Sequence, residues 1–208
     1  MRPLVVRFGA LGDSVILLGM IEALHRRFGT PVDVVSSGPW TRSLLEGQPA
    51  IGRLHLIRSR RTTYAFSPQQ WRLVHELRAR AAGPVWLCDR EAQARGLLLR
   101  GGIADEWLVD IRNCPRQPAE HHLDRLLRFA QQSPSALRPL TAAEASDVVR
   151  DIEAPRIRIL PEWRADIDSW LRELGIGERP LLLVQVGNKR TMRWWSSGRN
   201  ARNTKYWP

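Results

Sequence analysis

The sequence predicts an α/β fold in which a mostly parallel sheet carries helices on both faces. Two observations favour this fold: short apolar runs rich in β-branched residues alternate with segments of helical periodicity, and each helical segment separates two strands. A third observation is that prolines and small or charged residues crowd residues 133–160, as is typical of an interdomain linker. The predicted organisation is therefore an N-terminal domain at 1–135, a linker at 136–160, and the start of a second α/β domain at 161–208.

The first predicted unit is a strand, a glycine turn and a helix. Residues 3–8 are mostly apolar, Gly9 and Gly12 interrupt this run, and apolar residues then recur at helical spacing as far as Gly29. The same patterns predict strands at 32–36, 53–57, 84–88 and 106–109, and helices at 40–46, from Pro68, at Ala92–Arg100 and at 120–131. Beyond the linker, the sequence predicts a helix at 162–174 and an apolar strand at 180–186, and we expect this second domain to be cut off at its C-terminus.

The composition is typical of a globular protein of the cytoplasm. Hydrophobic residues make up 43% of the chain, and no apolar run approaches the length of a membrane span. The N-terminus does not show the charged and apolar regions of a signal peptide. The two cysteines, Cys88 and Cys114, are too few for a disulfide framework or a zinc site, so we expect reduced structural thiols and no bound metal.

Two basic segments carry the net charge of +11. Residues 58–80 contain six arginines and one acidic residue, and residues 189–205 contain six basic residues and none that is acidic. A nucleic-acid-binding protein usually spreads its charge along a face, so this concentration favours two local sites for anionic groups over a nucleic-acid partner. Two solvated basic loops are the alternative interpretation.

Asp13 is the candidate catalytic residue. It lies in the turn after the first strand, RFGALGDS from Arg7 onward, and ligands bind beyond the carboxyl ends of the strands in open parallel sheets. The turn has neither the G-x-G-x-x-G nor the G-K-[ST] pattern, so it offers a carboxylate and no specific phosphate cradle. Such a carboxylate can act as a general base toward a substrate hydroxyl, or it can serve simply as a helix N-cap.

A loop near the C-terminus is the second candidate site. The apolar strand at 180–186 leads into Gly187, Asn188 and Lys189, and Lys205 stands just before a predicted helix start. A lysine beside the amides of a helix N-terminus suits a nucleotide diphosphate.

Four segments of the sequence carry a resemblance to a known family. They are RFGALGDSVILLGMIEALHRRFG, which contains a G-x-x-G-D turn, then DREAQARGLLLRGGIADEW, HHLDRLLRF, and LLLVQVGNKRTMRWW together with NTKYWP. In this order they resemble glycosyltransferase family 9, the ADP-heptose:lipopolysaccharide heptosyltransferases. The resemblance spans nearly the whole chain and implies a two-domain GT-B fold. The N-terminal half would hold the acceptor, and the second domain, of which only the first strand and loop are expected here, would hold the nucleotide-sugar.

The resemblance implies an inverting transferase that moves a heptose or related sugar from an ADP-heptose-like donor to an anionic acceptor of the lipopolysaccharide-core type. Asp13 matches the family's catalytic aspartate, which takes the proton of the acceptor hydroxyl, and Lys205 matches its phosphate-contacting lysine. The implied donor-phosphate residues are Asn188, Lys189 and Lys205, and the implied acceptor residues are Gly12, Arg58, Arg60, Arg61 and His121. No cofactor is implied, and a glycolipid acceptor implies contact with the cytoplasmic face of the inner membrane.

Two departures from the family pattern bear on activity. The loop at 189–204 is long and contains Trp194 and Trp195, and the family's glycine-rich nucleotide-sugar motif, expected beyond residue 208, is absent. We therefore expect the 208-residue chain alone to transfer no sugar. The alternative function is that of a non-catalytic α/β protein that binds anions or nucleic acid through its two basic segments.

Overall fold

The computed structural model of the chain describes residues 1–57, 62–152 and 154–176. The protein divides into two compact units, Met1–Leu160 and Pro161–Pro208, and residues 161–176 of the second unit are described. Several predictions concern residues outside the described ranges, namely the strand at 180–186 and the roles of Arg58, Arg60, Arg61, Asn188, Lys189 and Lys205.

The first unit is built on a five-stranded sheet. Its strands are Leu4–Val6 (β1), Val32–Ser37 (β2), Ile51–Ile57 (β3), Val85–Leu87 (β4) and Leu108–Asp110 (β5). Its helices are Leu11–Phe28 (α1), Pro39–Leu45 (α2), Pro68–Arg78 (α3), Ala92–Arg100 (α4), His122–Gln131 (α5) and Ala142–Val149 (α6). The strands are ordered β3-β2-β1-β4-β5, and every neighbouring pair is parallel. The predicted α/β fold with a parallel sheet is confirmed, with strand ends shifted by a residue or two.

Side chains of the central strands build a core on each face of the sheet. Val5 of β1 and Trp86 of β4 pack with residues of α1 and α5. Leu4 and Val6 pack instead with residues of α3 and α4. Successive side chains of a strand point to opposite faces, so a strand buried along its whole length needs helices on both sides. The apolar runs at β1 and β4 satisfy this requirement, since all their residues are buried.

Trp86 connects β4 to two helices. It is fully buried, and its indole Nε1–H donates a hydrogen bond to the Phe129 carbonyl of α5 at 3.2 Å. Its ring meets Phe28 of α1 edge to face, with centroids 5.6 Å apart. The Arg27 guanidinium lies 5.6 Å from the Trp86 ring, and burial lowers the pKa of Arg27 to about 10, which leaves it charged at neutral pH. Apolar, aromatic and cation–π contacts therefore converge on one side chain.

Helix α6 lies within the segment that the sequence predicts as a linker at 136–160. Thr141 caps it by accepting the Glu144 N–H, and the Glu144 carboxylate accepts the Thr141 N–H in return. Val148 and Ile152 are buried in the same core as α1 and α5. The prediction did not anticipate this helix, because Pro134, Pro139 and Pro155 favoured a linker over the whole segment.

The described part of the second unit is the helix Pro161–Glu173 (α7), close to the predicted helix at 162–174. Ile167 and Trp170, one turn apart on this helix, are about half exposed. Across the described ranges of the whole chain, no helix has both the length and the hydropathy needed to cross a bilayer.

Candidate active site

The turn after β1 and the turn after β4 are joined at the carboxyl end of the sheet. The Arg7 guanidinium donates from Nη1 to the Cys88 carbonyl at 2.6 Å, and the Phe8 N–H donates to Asp89 Oδ2 at 3.3 Å. Asp89 Oδ1 also accepts the Glu91 N–H at 3.0 Å. These bonds fix two adjacent connecting segments against each other, at the end of the sheet where open α/β folds bind ligands.

Asp13 is held by two donors within this region. Its Oδ2 accepts the Ala10 N–H at 2.9 Å, and its Oδ1 accepts Arg7 Nη2 at 2.9 Å. Asp13 is not the N-cap of α1, so that interpretation is wrong. Ala10 is the N-cap, and Asp13 is the third helical residue, whose carboxylate accepts the N–H of the N-cap residue. The side chain of Asp13 is 34% exposed, so a substrate hydroxyl can approach it.

The contacts of Asp13 keep its carboxyl group ionised. Partial burial alone would raise its pKa, but the hydrogen bond from the Ala10 N–H and the charge and hydrogen bond of Arg7 hold the pKa below its ordinary value of 3.8. The same charge on Arg7 also limits the basicity of the carboxylate. Asp13 is thus suited to orient a substrate hydroxyl and to take its proton late, when attack on an electrophile has made that proton acidic.

Replacing Arg7 with Met is expected to raise the pKa of Asp13, because the opposing burial effect remains while the guanidinium is lost. A carboxylate with a depressed pKa stabilises the fold above its unfolded pKa, and this stabilisation disappears as the pH falls through the folded pKa. The variant should therefore lose less stability on acidification below about pH 4. A ¹³C carboxyl NMR titration of Asp13 checks the shift.

Arg42→Met is the matched control, since Arg42 pairs with Glu46 on the surface of α2. It should leave the titration of Asp13 unchanged. An Asp13 pKa that stays constant in Arg7→Met would contradict the role given to Arg7.

Gly9 and Gly12 differ sharply in the space around them. A Cβ on Gly9 would lie 2.6 Å from Asp13 Cβ and 2.9 Å from Asp13 Oδ2, whereas a Cβ on Gly12 would meet nothing within 4 Å. The glycine at position 9 thus lets the backbone approach the carboxylate closely. Gly12, the predicted acceptor residue, is exposed beside Asp13 in the first turn of α1 and leaves the approach to the helix start open.

Gly9→Ala is expected to destabilise the fold by about 1–3 kcal/mol, because the methyl group must push Asp13 away from its two donors. Gly12→Ala should instead be neutral or stabilise the fold by up to about 1 kcal/mol, since alanine favours the helix. Urea unfolding followed by circular dichroism measures both variants. Equal effects of the two substitutions would show that the close approach at Gly9 is not what constrains this turn.

Two adjacent histidines begin α5 and have different surroundings. His121, the predicted acceptor residue, is the exposed N-cap of α5, and its Nδ1 accepts the Leu123 N–H at 3.2 Å. His122 is half-buried, and its pKa is lowered by burial and by the positive charge of Arg7, against the opposing effect of Asp13. The electrostatic neighbour of Asp13 is therefore His122. The role of His121 in acceptor binding stays a prediction.

Three residues that shape this end of the sheet were not predicted from the sequence: Arg7, Asp89 and Arg125. Arg125 is buried and donates to the carbonyls of Cys114 and Ile111 at 2.8 and 3.0 Å, which fixes the segment between β5 and α5. Asp89 carried a usable signal, because it directly follows a buried strand at the carboxyl edge. The two arginines carried none, since they are embedded in a chain whose basic residues are almost all arginine.

The site does not have the features of a thiol nucleophile or a metal centre in its described part. Burial raises the pKa of Cys88 to about 12, so it stays a protonated thiol, and its Sγ lies 3.6 Å from Met20 Sδ. No group of three or more His, Cys, Asp or Glu side chains comes together to hold a metal ion among the described residues. What the geometry provides is a fixed, ionised and accessible carboxylate.

Comparisons with known proteins bear on the fold. No protein-family model matches the sequence, and no curated protein matches it. The structure is similar to the crystal structure of the glycosyl transferase family 9 from Veillonella parvula DSM 2008, with a TM-score of 0.69 and 14% sequence identity. The match covers 90% of this chain and 54% of that chain, so this chain spans about half the length of its structural relative. The protein thus shares the α/β fold of a family 9 glycosyltransferase over nine-tenths of its length.

Proposed function

We propose that this chain is the acceptor-side part of an inverting glycosyltransferase. The reaction would move a heptose or related sugar from an ADP-heptose-like donor to an anionic glycolipid acceptor of the lipopolysaccharide-core type. One observation carries the proposal: in a fold shared with a family 9 glycosyltransferase, an accessible carboxylate, Asp13, is fixed at the carboxyl end of the central strand by the Ala10 N–H and Arg7.

The chemistry assigned to Asp13 is that of a general base. The acceptor hydroxyl donates a hydrogen bond to Asp13, its oxygen attacks the anomeric carbon from the face opposite the diphosphate, and its proton passes to the carboxylate. The bond from the anomeric carbon to the diphosphate oxygen breaks, and the nucleoside diphosphate leaves with that electron pair. Attack from the opposite face inverts the anomeric centre.

The remaining assignments follow the family resemblance. Gly12, Arg58, Arg60, Arg61 and His121 are proposed to contact the acceptor, and Asn188, Lys189 and Lys205 the donor phosphates. Guanidinium groups bind carboxylates and phosphates in a planar, two-point manner, which suits an anionic sugar acceptor. Lysines near the leaving diphosphate would stabilise the charge that builds up on it.

A transfer assay tests the function. The protein encoded by the complete gene is incubated with ADP-heptose, or with other nucleotide-diphosphate sugars, and an anionic acceptor of the lipopolysaccharide-core type, and the product is detected by mass spectrometry. We expect transfer from one of these donors by the complete protein and none by the 208-residue chain alone. Turnover by the chain alone would contradict the expectation of a missing donor site, and no turnover with any donor would contradict the transferase proposal.

The second candidate is a non-catalytic α/β protein that binds anions or nucleic acid through its two basic segments, which together carry the net charge of +11. Filter binding to a DNA duplex at increasing salt distinguishes it, because phosphate-dominated affinity falls steeply with salt. Tight, salt-sensitive binding that is unaffected by Asp13→Asn would support this alternative, and weak binding throughout would support the transferase.

A further inference from the structure

Residues 62–72, which lead into α3 and form its first turn, place two aromatic side chains in solvent. The Phe66 side chain is 81% exposed and that of Trp71 is 46% exposed. Phe66 ends a short 3-10 turn, Tyr64–Phe66, and Trp71 lies in the first turns of α3. We call residues 62–72 the aromatic turn. A phenylalanine this exposed leaves most of its apolar surface in water, which a partner would favourably cover.

The aromatic turn is held rigidly from within. The buried Gln70 and the half-buried Gln93 of α4 both donate from Nε2 to the Thr62 carbonyl, at 2.9 and 3.0 Å. The Trp71 indole N–H donates to the Tyr64 carbonyl at 2.7 Å. Because these bonds fix the backbone on both sides of Phe66, its ring is presented outward by a supported turn and not by a loose loop.

Tyr64 and Arg100 add to this support. The Arg100 guanidinium lies 4.9 Å from the Tyr64 ring centroid, a cation–π contact that ties the turn to the end of α4. Tyr64 also packs against the core formed with α3 and α4. The turn therefore directs Tyr64 inward and leaves Phe66 directed away from the core.

The position of the aromatic turn relates it to the candidate active site. In a parallel α/β sheet the helix after a strand begins at the carboxyl end of that strand. The aromatic turn precedes α3, and Asp13 lies in the first turn of α1, so both stand at the same end of the sheet. Leu11, the first residue of α1, is also 50% exposed at this end.

The charge around the aromatic turn selects among possible occupants. Arg72 follows Trp71 and is exposed, and the sequence from 62 to 72 carries no acidic residue. Exposed aromatic rings beside arginines suit the interface of an anionic bilayer, where rings sit at the headgroup level and guanidinium groups meet phosphates. A second copy of this chain would bring like charges together, which disfavours self-association.

We propose that the aromatic turn docks the protein on an anionic lipid bilayer, with Phe66 and Trp71 inserted at the headgroup level and Arg72 on the lipid phosphates. This surface would bring the Asp13 end of the sheet to the membrane where a glycolipid acceptor lies. The inference deepens the proposed function, and it rests on that function for the glycolipid acceptor. The experiment that tests the docking surface does not rest on the proposed function, because it needs neither donor nor acceptor.

Vesicle co-sedimentation of the 208-residue chain provides the test. Vesicles of phosphatidylcholine alone are compared with vesicles that contain about one third phosphatidylglycerol, and binding is expected only with the anionic lipid. Phe66→Ser should weaken binding about tenfold, because the buried ring is lost. Arg72→Gln should weaken it about fivefold. Both side chains are exposed, so both variants should fold, and circular dichroism confirms it.

Two matched controls localise the effect. Ile159→Ser removes an aliphatic side chain that is 66% exposed elsewhere in the first unit, and Trp170→Ser removes a half-exposed aromatic ring from α7. Neither should change binding by more than about twofold, within ordinary surface-substitution effects. Three results would each overturn the proposal. They are equal vesicle binding by wild type and Phe66→Ser, a loss of vesicle binding seen only in Trp170→Ser, and a dimer of the chain that Phe66→Ser abolishes. Vesicle binding by the chain, together with no transfer from any donor by the complete protein, would instead contradict the transferase proposal and leave the docking surface standing.

Discussion

Asp13→Asn is expected to lower kcat for sugar transfer by about 10²–10⁴-fold in the complete protein. The amide keeps the size of the side chain and can still accept the Ala10 N–H through its oxygen, but it cannot take a proton from the acceptor hydroxyl. Arg7, which now pairs with the carboxylate at 2.9 Å, would lose its anionic partner. The loss should fall on kcat more than on the KM of the acceptor, because the proton transfer belongs to the transition state.

The control for Asp13→Asn is Asp124→Asn. Asp124 is also an acidic residue in the first turn of a helix, α5, and it is exposed. Both variants should stay folded, with a modestly lower urea midpoint for Asp13→Asn because it loses the ion pair with Arg7, and only Asp13→Asn should lose transfer. Retention of more than about a tenth of wild-type kcat by Asp13→Asn would be too small a loss for a general base, and Asp13 would then be a structural residue of the turn.

Trp86→Ala is expected to destabilise the first unit by about 3–5 kcal/mol. The substitution leaves a cavity between the sheet and its helices, since the side chain is fully buried. It also removes the indole donor from the Phe129 carbonyl, which keeps the Gln132 N–H, and it removes the ring that the Arg27 guanidinium faces. A loss of this size is a large fraction of the stability of a typical domain. Urea unfolding followed by far-UV circular dichroism measures it without depending on tryptophan fluorescence.

Phe66→Ala is the comparison for this stability experiment. It removes an aromatic ring of similar size from a position where 81% of the side chain is in solvent, so the change should stay within about 0.5 kcal/mol. A Trp86→Ala variant as stable as Phe66→Ala would mean that the core on the α1 and α5 face relaxes around the missing ring.

The fold could be predicted from the sequence because its strands are short, largely apolar and separated by helices with clear periodicity. β1 and β4 are buried on both faces, and this condition shows directly as runs without polar residues. Helix α6 was not predicted, although its start has a readable signature, because Thr141 and Glu144 form the T-x-x-E pattern of a capping box. The packing of Val148 into a core assembled by distant residues has no local signature.

The candidate site could be predicted from the sequence only in part. The G-x-x-G-D turn pointed to Asp13, but its position as the third helical residue depends on where α1 begins, which is set by the backbone of Ala10. The pairing of Arg7 with Asp13 depends on a side chain that also binds the Cys88 carbonyl across the sheet. Such long-range contacts have no local signature, and for the same reason the sequence could not distinguish the surroundings of His121 from those of His122.

The central place of β1 in the strand order β3-β2-β1-β4-β5 has an evolutionary consequence. The turn that carries Asp13 grows from the best-protected strand, whereas the aromatic turn follows β3 at one edge and the segment before α5 follows β5 at the other. Surface segments at the edges of a sheet tolerate insertion and exchange, while the central strand is held by neighbours on both sides. Changes in those edge segments should therefore leave the position of Asp13 unaltered.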